Sequence, residues 1–288
     1  MLLLLLFTVP ARSEAAVVDL LVPPSVLADM PAFLAGDDLF AVRDFDRPNS
    51  RRDLVDYVLL RQALRLGSDA PLEVRVHPWV SISYDRVLVT LADGEATLLS
   101  NTLWREDVSP EHPDLYVSSA TMEKGEYTAG LYMHPENPKL TEVTDAAQIR
   151  SLTAVSSRQF VPDWQALEQL GLAALYSEVN WENMVRMVHR QRVDFMLIPF
   201  SRQADLSQAV LDVVLKPLPG FKVALEGSRG WVVSRQHPAG ASAFQALEKG
   251  LAVLKAEGIV ARAYRESGVI NARVDDWVLA NKPLSTRP

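Results

Sequence analysis

Cysteine is absent from the 288 residues, and basic residues are in the minority, 29 Lys and Arg against 36 Asp and Glu. Without a thiol there is no thiol nucleophile, no thiolate metal site, no disulfide framework and no lipid-modified cysteine. A chain of this length buries enough apolar surface to fold uncrosslinked. The formal charge of −7 argues against nucleic acid or an anionic membrane as the main partner, since both need a basic surface. The first apolar run, Leu2 to Phe7, falls well short of the roughly 20 residues that span a bilayer. Nucleotide and hydrolase signatures are missing too: there is no G-x-S-x-G, no P-loop and no G-x-G-x-x-G. The five histidines (His77, His112, His134, His189, His237) are scattered, four of them directly before proline, and none has H-x-x-x-H spacing. These absences predict no catalysis, no metal and no cofactor. No internal repeat or low-complexity segment is visible.

What is present begins with MLLLLLFTVPARSEAAV. A short leucine core followed by small residues predicts a secretory signal over 1–15, with cleavage after Ala11 or Ala15. An exported, cysteine-free chain of this size is expected in the periplasm of a Gram-negative bacterium. Val17 to Val22 is an apolar run stopped by Pro23-Pro24, a buried first strand. Ser50 is placed to cap a helix from Arg51 to Leu66 that ends at Gly67. Leu72 to Trp79 alternates as a second strand, Tyr84 to Ala92 reads as a helix, and Ala96 to Leu99 as a third strand. Leu115 to Val117 and Tyr127 to Met133 are β-rich and suit a crossing between lobes.

A second α/β set follows: strands Leu152 to Val155, Ala173 to Tyr176 and Asp194 to Pro199 alternate with helices Pro162 to Leu170 and Trp181 to Arg190. Lys216 to Leu225 and Trp231 to Ser234 are further strands. Ser242 to Gly258 is an amphipathic helix, and Val260 to Ala280 reads as helical in two pieces broken at Gly268. The trailing segment has no sheet of its own to join, so its economical place is back on the first unit. The expected division is 16–120 with 225–288 as one lobe and 121–224 as the other. Strand C-termini of both lobes would then face one ligand cleft.

The stretch TLLSNTLWRED (Thr97 to Asp107) is a buried strand ending in hydrogen-bonding groups. Thr102-Leu-Trp-Arg105 within it resembles the T-x-x-R of the family 3 periplasmic solute-binding proteins, the amino-acid-binding type. Leu91 to Leu99, Val193-Asp194, Gly230 to Arg235 and Tyr264 to Trp277 are similar to further stretches of that family. The resemblance implies a type II two-lobed periplasmic-binding-protein-like α/β fold, a monomer, and a small-molecule ligand held in an interlobe cleft. It also implies a role in an ABC-type transport system, with a membrane permease or a membrane-bound sensor as partner. By resemblance Thr102 and Arg105, beside Asn101, hold a ligand carboxylate. A guanidinium fork pairs bidentately with such a group. The bland alternative is a surface pair of Arg105 with Glu106 or Asp107. Ser156, Ser157 and Arg158 lie between a strand and a helix, as an anion site at a helix N-terminus or as plain capping.

Two departures matter. Where amino-acid binders have an aspartate for the ammonium group, this chain reads Ile198-Pro-Phe-Ser-Arg202, which favours an anion without an ammonium. The usual aromatic near the first strand is replaced by Ser25, with Trp79 as a possible stacking platform. Rival readings are a sensory or accessory protein on the same fold, a degenerate homologue, and a dehydratase-like or wall-degrading enzyme with Glu178 as its acid.

Overall fold

Two sheets, each fed by its own run of alternating strands and helices, account for most of the chain. The computed structural model describes residues 16–70, 72–79, 84–108 and 112–281. The expected signal segment, 1–15, lies outside them. The first run is β1 (Val17–Val22), α1 (Pro24–Leu34), α2 (Arg52–Gly67), β2 (Glu73–Pro78), α3 (Tyr84–Ala92), β3 (Leu98–Leu99), β4 (Leu103–Trp104), α4 (Arg105–Val108) and β5 (Leu115–Val117). The second is β6 (Thr128–Met133), α5 (Lys139–Glu142), β7 (Thr153–Ser156), α6 (Val161–Leu170), β8 (Ala174–Ser177), α7 (Trp181–His189), β9 (Phe195–Pro199), β10 (Gln208–Val210) and β11 (Val213–Ala224). The chain then returns through β12 (Arg229–Gly230), β13 (Val232–Ser234), α8 (Gly240–Ala256), α9 (Ile259–Glu266) and β14 (Val278–Leu279).

The first sheet has the order β2-β1-β3-β13-β5, with β1, β2 and β3 parallel and the returning β13 antiparallel to both neighbours. The second has the order β10-β11-β6-β9-β7-β8, with β7, β8 and β9 parallel. Apolar clusters cover both faces of each sheet, which is why β1 and β9 read as continuous hydrophobic runs rather than alternating ones. Both sheets lie in one α/β chain with two lobes, as the resemblance implies.

Helix α8 returns to the first lobe through a close crossing with α2. A methyl group built on Gly250 would sit 1.9 Å from the Ala63 carbonyl, and one on Gly67 would sit 1.9 Å from that of Ala246. Backbone against backbone is possible only because those side chains are absent.

Some local details differ from expectation. Ser50 does not cap α2; its hydroxyl donates to the Phe45 carbonyl at 2.7 Å, and Arg51 stands at the N-cap without a capping bond. Helix α1 follows the Pro23-Pro24 stop, where no element was expected, with Pro24 at a first-turn position that needs no N–H. The end of the chain also differs: residues 225–288 were all expected on the first lobe, yet β14 pairs with β11 of the second sheet. Val274 is buried in the apolar cluster of that lobe and the partly buried Trp277 packs against it.

Candidate functional site

Where the lobes meet, a buried polar network ties both connecting segments to the first lobe. Asp56 of α2 is fully buried. Its Oδ2 accepts from the Thr102 N–H (2.9 Å) and Oγ1 (2.8 Å), and its Oδ1 accepts from the Tyr264 hydroxyl (2.7 Å). Arg229 of β12 donates through Nε to Thr102 Oγ1 at 3.1 Å and through Nη2 to the Thr102 carbonyl. Its guanidinium lies over the Trp104 ring, 4.4 Å from the centroid. Burial pushes the Asp56 carboxyl up, against the pull of Arg52 and Arg229. The Tyr264 hydroxyl is pushed well above its ordinary range by burial and by the neighbouring Asp56.

The same region is sealed by aromatic and apolar contact. Trp104 meets Tyr127 edge-on with centroids 5.8 Å apart, and both are buried. A methyl group on Gly227 would fall 2.6 Å from Trp104 Cε3 and 3.2 Å from Pro162 Cγ, so the start of α6 abuts the first lobe here. Beside Pro162 stands Asp163, whose carboxylate accepts its own backbone N–H at the uncapped N-terminus of α6. Burial raises its carboxyl to about 6, with Arg229 opposing.

The predicted residues fall into separate settings. Thr102 is not available to a ligand: it has no exposed surface and both polar groups are engaged by Asp56 and Arg229. The Arg105 N–H donates to the Ser228 carbonyl (2.9 Å) and its Nη1 to Ser228 Oγ (3.3 Å), while Glu106 also holds Ser228. Asn101 is half-buried and accepts from Ser100 Oγ. Ser156 and Ser157 are buried, and Ser157 Oγ accepts the Gln159 N–H at 3.2 Å, a local turn. Arg158 is exposed in the turn before α6 and lies over Trp164 of that helix. Ser25 is exposed on α1, and Trp79 packs against the apolar cluster beneath α3. Glu178 is half-buried and accepts the Asn180 N–H at the start of α7.

A cavity of about 500 Å³ lies between the lobes and is lined by none of the eight predicted ligand residues. Its walls are Ser50 to Asp53 at the start of α2 and Pro199 to Gln203 after β9, with Tyr127 between them. Arg52 donates to Asp53 through Nε (3.1 Å) and Nη2 (2.8 Å); burial pushes the Asp53 carboxyl up, but Arg52, Arg51 and Arg229 together hold it below its ordinary range. On the far wall Arg202 bonds Asp46 and the Arg47 carbonyl (2.9 Å), joining the lobes across the mouth. Two signals for this site were in the sequence. Consecutive arginines open a helix, against the dipole's preference for anions, and arginine follows β9 where an acid was expected.

Among the described residues no cluster of His, Cys, Asp or Glu is arranged to hold a metal, and no helix is long and apolar enough to cross a membrane. No protein-family model matches the sequence, and no curated protein matches it. Solved structures do. The periplasmic VFT2 domain of Bordetella pertussis BvgS is 15% identical with a TM-score of 0.51, over 85% of this chain and 92% of that one. Substrate binding domain 2 of Lactococcus lactis GlnP, in an open conformation, is 11% identical with a TM-score of 0.48, covering 88% and 97%. The L-cystine solute receptor of Neisseria gonorrhoeae is 15% identical with a TM-score of 0.43, covering 92% and 96%. The chain therefore has the two-lobed α/β fold of periplasmic binding domains.

Proposed function

We propose that this chain is a periplasmic solute-binding protein that closes two lobes over a small anionic solute and delivers it to a membrane permease of the ABC type. Export from a Gram-negative cytoplasm, and lobes formed by 16–120 with 225–271 and by 121–224 with 272–281, belong to the same reading. The observation that carries it is the interlobe cavity. It opens at the carboxyl end of β9, a parallel strand of the second sheet, and draws its other wall from the first lobe. Lining of this size and mixed polarity suits a small molecule.

A second reading, sensory or accessory use of the fold by a membrane partner, draws on a different observation. Trp104 packs edge-on against Tyr127 in a buried contact at the lobe boundary that needs no ligand. The enzymatic alternative has Asp163 as a better-placed acid than Glu178, beside Arg229 at the lobe boundary.

Screening the purified chain against small anions and amino acids by thermal shift tests the first reading, because a ligand that binds the native state stabilises it and raises the midpoint with ligand concentration. The expected result is a concentration-dependent rise with an anion lacking an ammonium group. A rise with zwitterionic amino acids alone would replace the anion by an amino acid. No rise with any compound would favour the second reading.

A further inference from the structure

We infer that the solute sits in the cavity between the first turn of α2 and the loop after β9, and that it carries a carboxylate attached to an apolar body. This rests on the solute-binding reading above and adds the place and the chemical class. Three arginines (Arg51, Arg52, Arg202) line the cavity against one carboxylate, Asp53. That is a lining charge of 3 − 1 = +2 in a chain whose formal charge is −7. Arg51 and Arg202 pair outside the lining with Asp29 and Asp46, whose side chains are 33% and 68% exposed. Pairs so open to water hold weakly and yield their guanidinium to a better-placed anion.

Apolar surface stands next to this charge. Phe200, Ala209 and Val269 also line the cavity, and Phe200 is braced edge-on by Trp277 with centroids 5.4 Å apart. Bare inorganic anions leave such surface uncovered, whereas an aryl or alkyl carboxylate covers it.

The wall after β9 is fixed in advance. The Ser201 N–H donates to the Tyr132 hydroxyl (3.2 Å), the Gln203 N–H to Ser201 Oγ (3.0 Å), and Arg273 Nη1 to the carbonyls of Arg202 (2.8 Å) and Gln203 (3.1 Å). Asn271 donates to the Ser201 carbonyl at 2.9 Å. A loop held by five bonds loses little freedom when a ligand arrives. This also gives the end of the chain a purpose: residues 271–277, where the chain passes from the first lobe to the second, brace the cavity wall.

Calorimetric titration of the full chain with acetate, benzoate, indole-3-acetate and inorganic phosphate tests the inference. The expected order is the aryl carboxylates well ahead of acetate and phosphate. Ala209→Trp fills the cavity and removes no side-chain hydrogen bond; Arg51→Gln with Arg202→Gln removes the charge. Each should weaken the best carboxylate by about tenfold or more, while Arg105→Ala leaves it within about twofold, since Arg105 is held by Ser228. Unfolding midpoints without ligand confirm that each variant folds. If Arg105→Ala abolishes binding and the cavity variants bind normally, the solute-binding reading survives and this location is wrong. If phosphate binds as well as benzoate, the apolar half of the inference is wrong. If nothing on the panel titrates the wild-type chain, the inference falls, and the broader thermal screen then decides the solute-binding reading separately.

Discussion

At the scale of single residues, the deciding question is which polar groups the fold has already used. Thr102 and Arg105 have the spacing of a ligand clamp, yet the acceptors they need lie 46 and 123 positions away, on Asp56 and Ser228. No local pattern reports such partners. Asp163 is the reverse case, a carboxyl that invites no attention in the sequence and whose burial at the lobe boundary alters its chemistry. Its ordinary value of 3.8 rises to about 6 in the fold. The folded chain therefore binds more protons than the unfolded one between these two values. Stability from this group is complete below about pH 4, falls as pH rises through about 6, and levels off above it. Asp163→Asn keeps the shape and an acceptor for the helix N–H while removing the charge. Its unfolding midpoint relative to wild type should climb between about pH 4 and 7. A constant difference across that range would show that Asp163 titrates normally.

At the scale of elements, periodicity served well wherever a segment meets one kind of neighbour. The run VVDLLV formed β1 and the 3.6-residue pattern from Trp181 formed α7, because burial of one stripe or one run suffices to set the element. It failed where the environment changes along a segment, as after Gly268, where the expected helix gives way to a bracing turn and β14. The α2–α8 crossing shows how little of such packing is local: Gly67 ends a helix in both sequence and structure, but its contact with Ala246 is invisible without the fold. Gly250→Ala is favourable for helix propensity by about 1 kcal/mol. Even so, it should destabilise the chain by about 1–3 kcal/mol, because a methyl there collides with the Ala63 carbonyl and no flexible side chain can yield. Chemical denaturation measures the balance, and an unchanged or raised stability would mean that the helices separate at no cost.

At the scale of the whole molecule, apolar and charged contacts bridge the two lobes. Trp104 is the centre of that seal, touching Tyr127, Arg229 and the neighbourhood of Pro162. Trp104→Ala should cost about 3–5 kcal/mol of stability through the cavity left behind. It should also loosen the lobes, seen as a larger radius of gyration by small-angle scattering. Destabilisation with an unchanged radius would assign Trp104 to the first-lobe core alone and leave Arg202 with Asp46 as the link between lobes.

By itself the sequence determined most strands and helices of the two α/β runs and the return of β13 to the first sheet. Each follows from burial patterns within a dozen neighbouring residues and from the need of every strand for a partner. In the sequence too is Arg202 after β9, where an acid was expected, and the proposal of an anionic solute starts from it. Tertiary structure alone decided that Thr102 serves Asp56, that Asp163 lies at the lobe boundary, that β14 crosses to the second sheet, and that Arg51, Arg52 and Arg202 share one cavity. These depend on which distant surfaces meet and on how much water is excluded when they do, and neither quantity is written in the spacing of nearby residues.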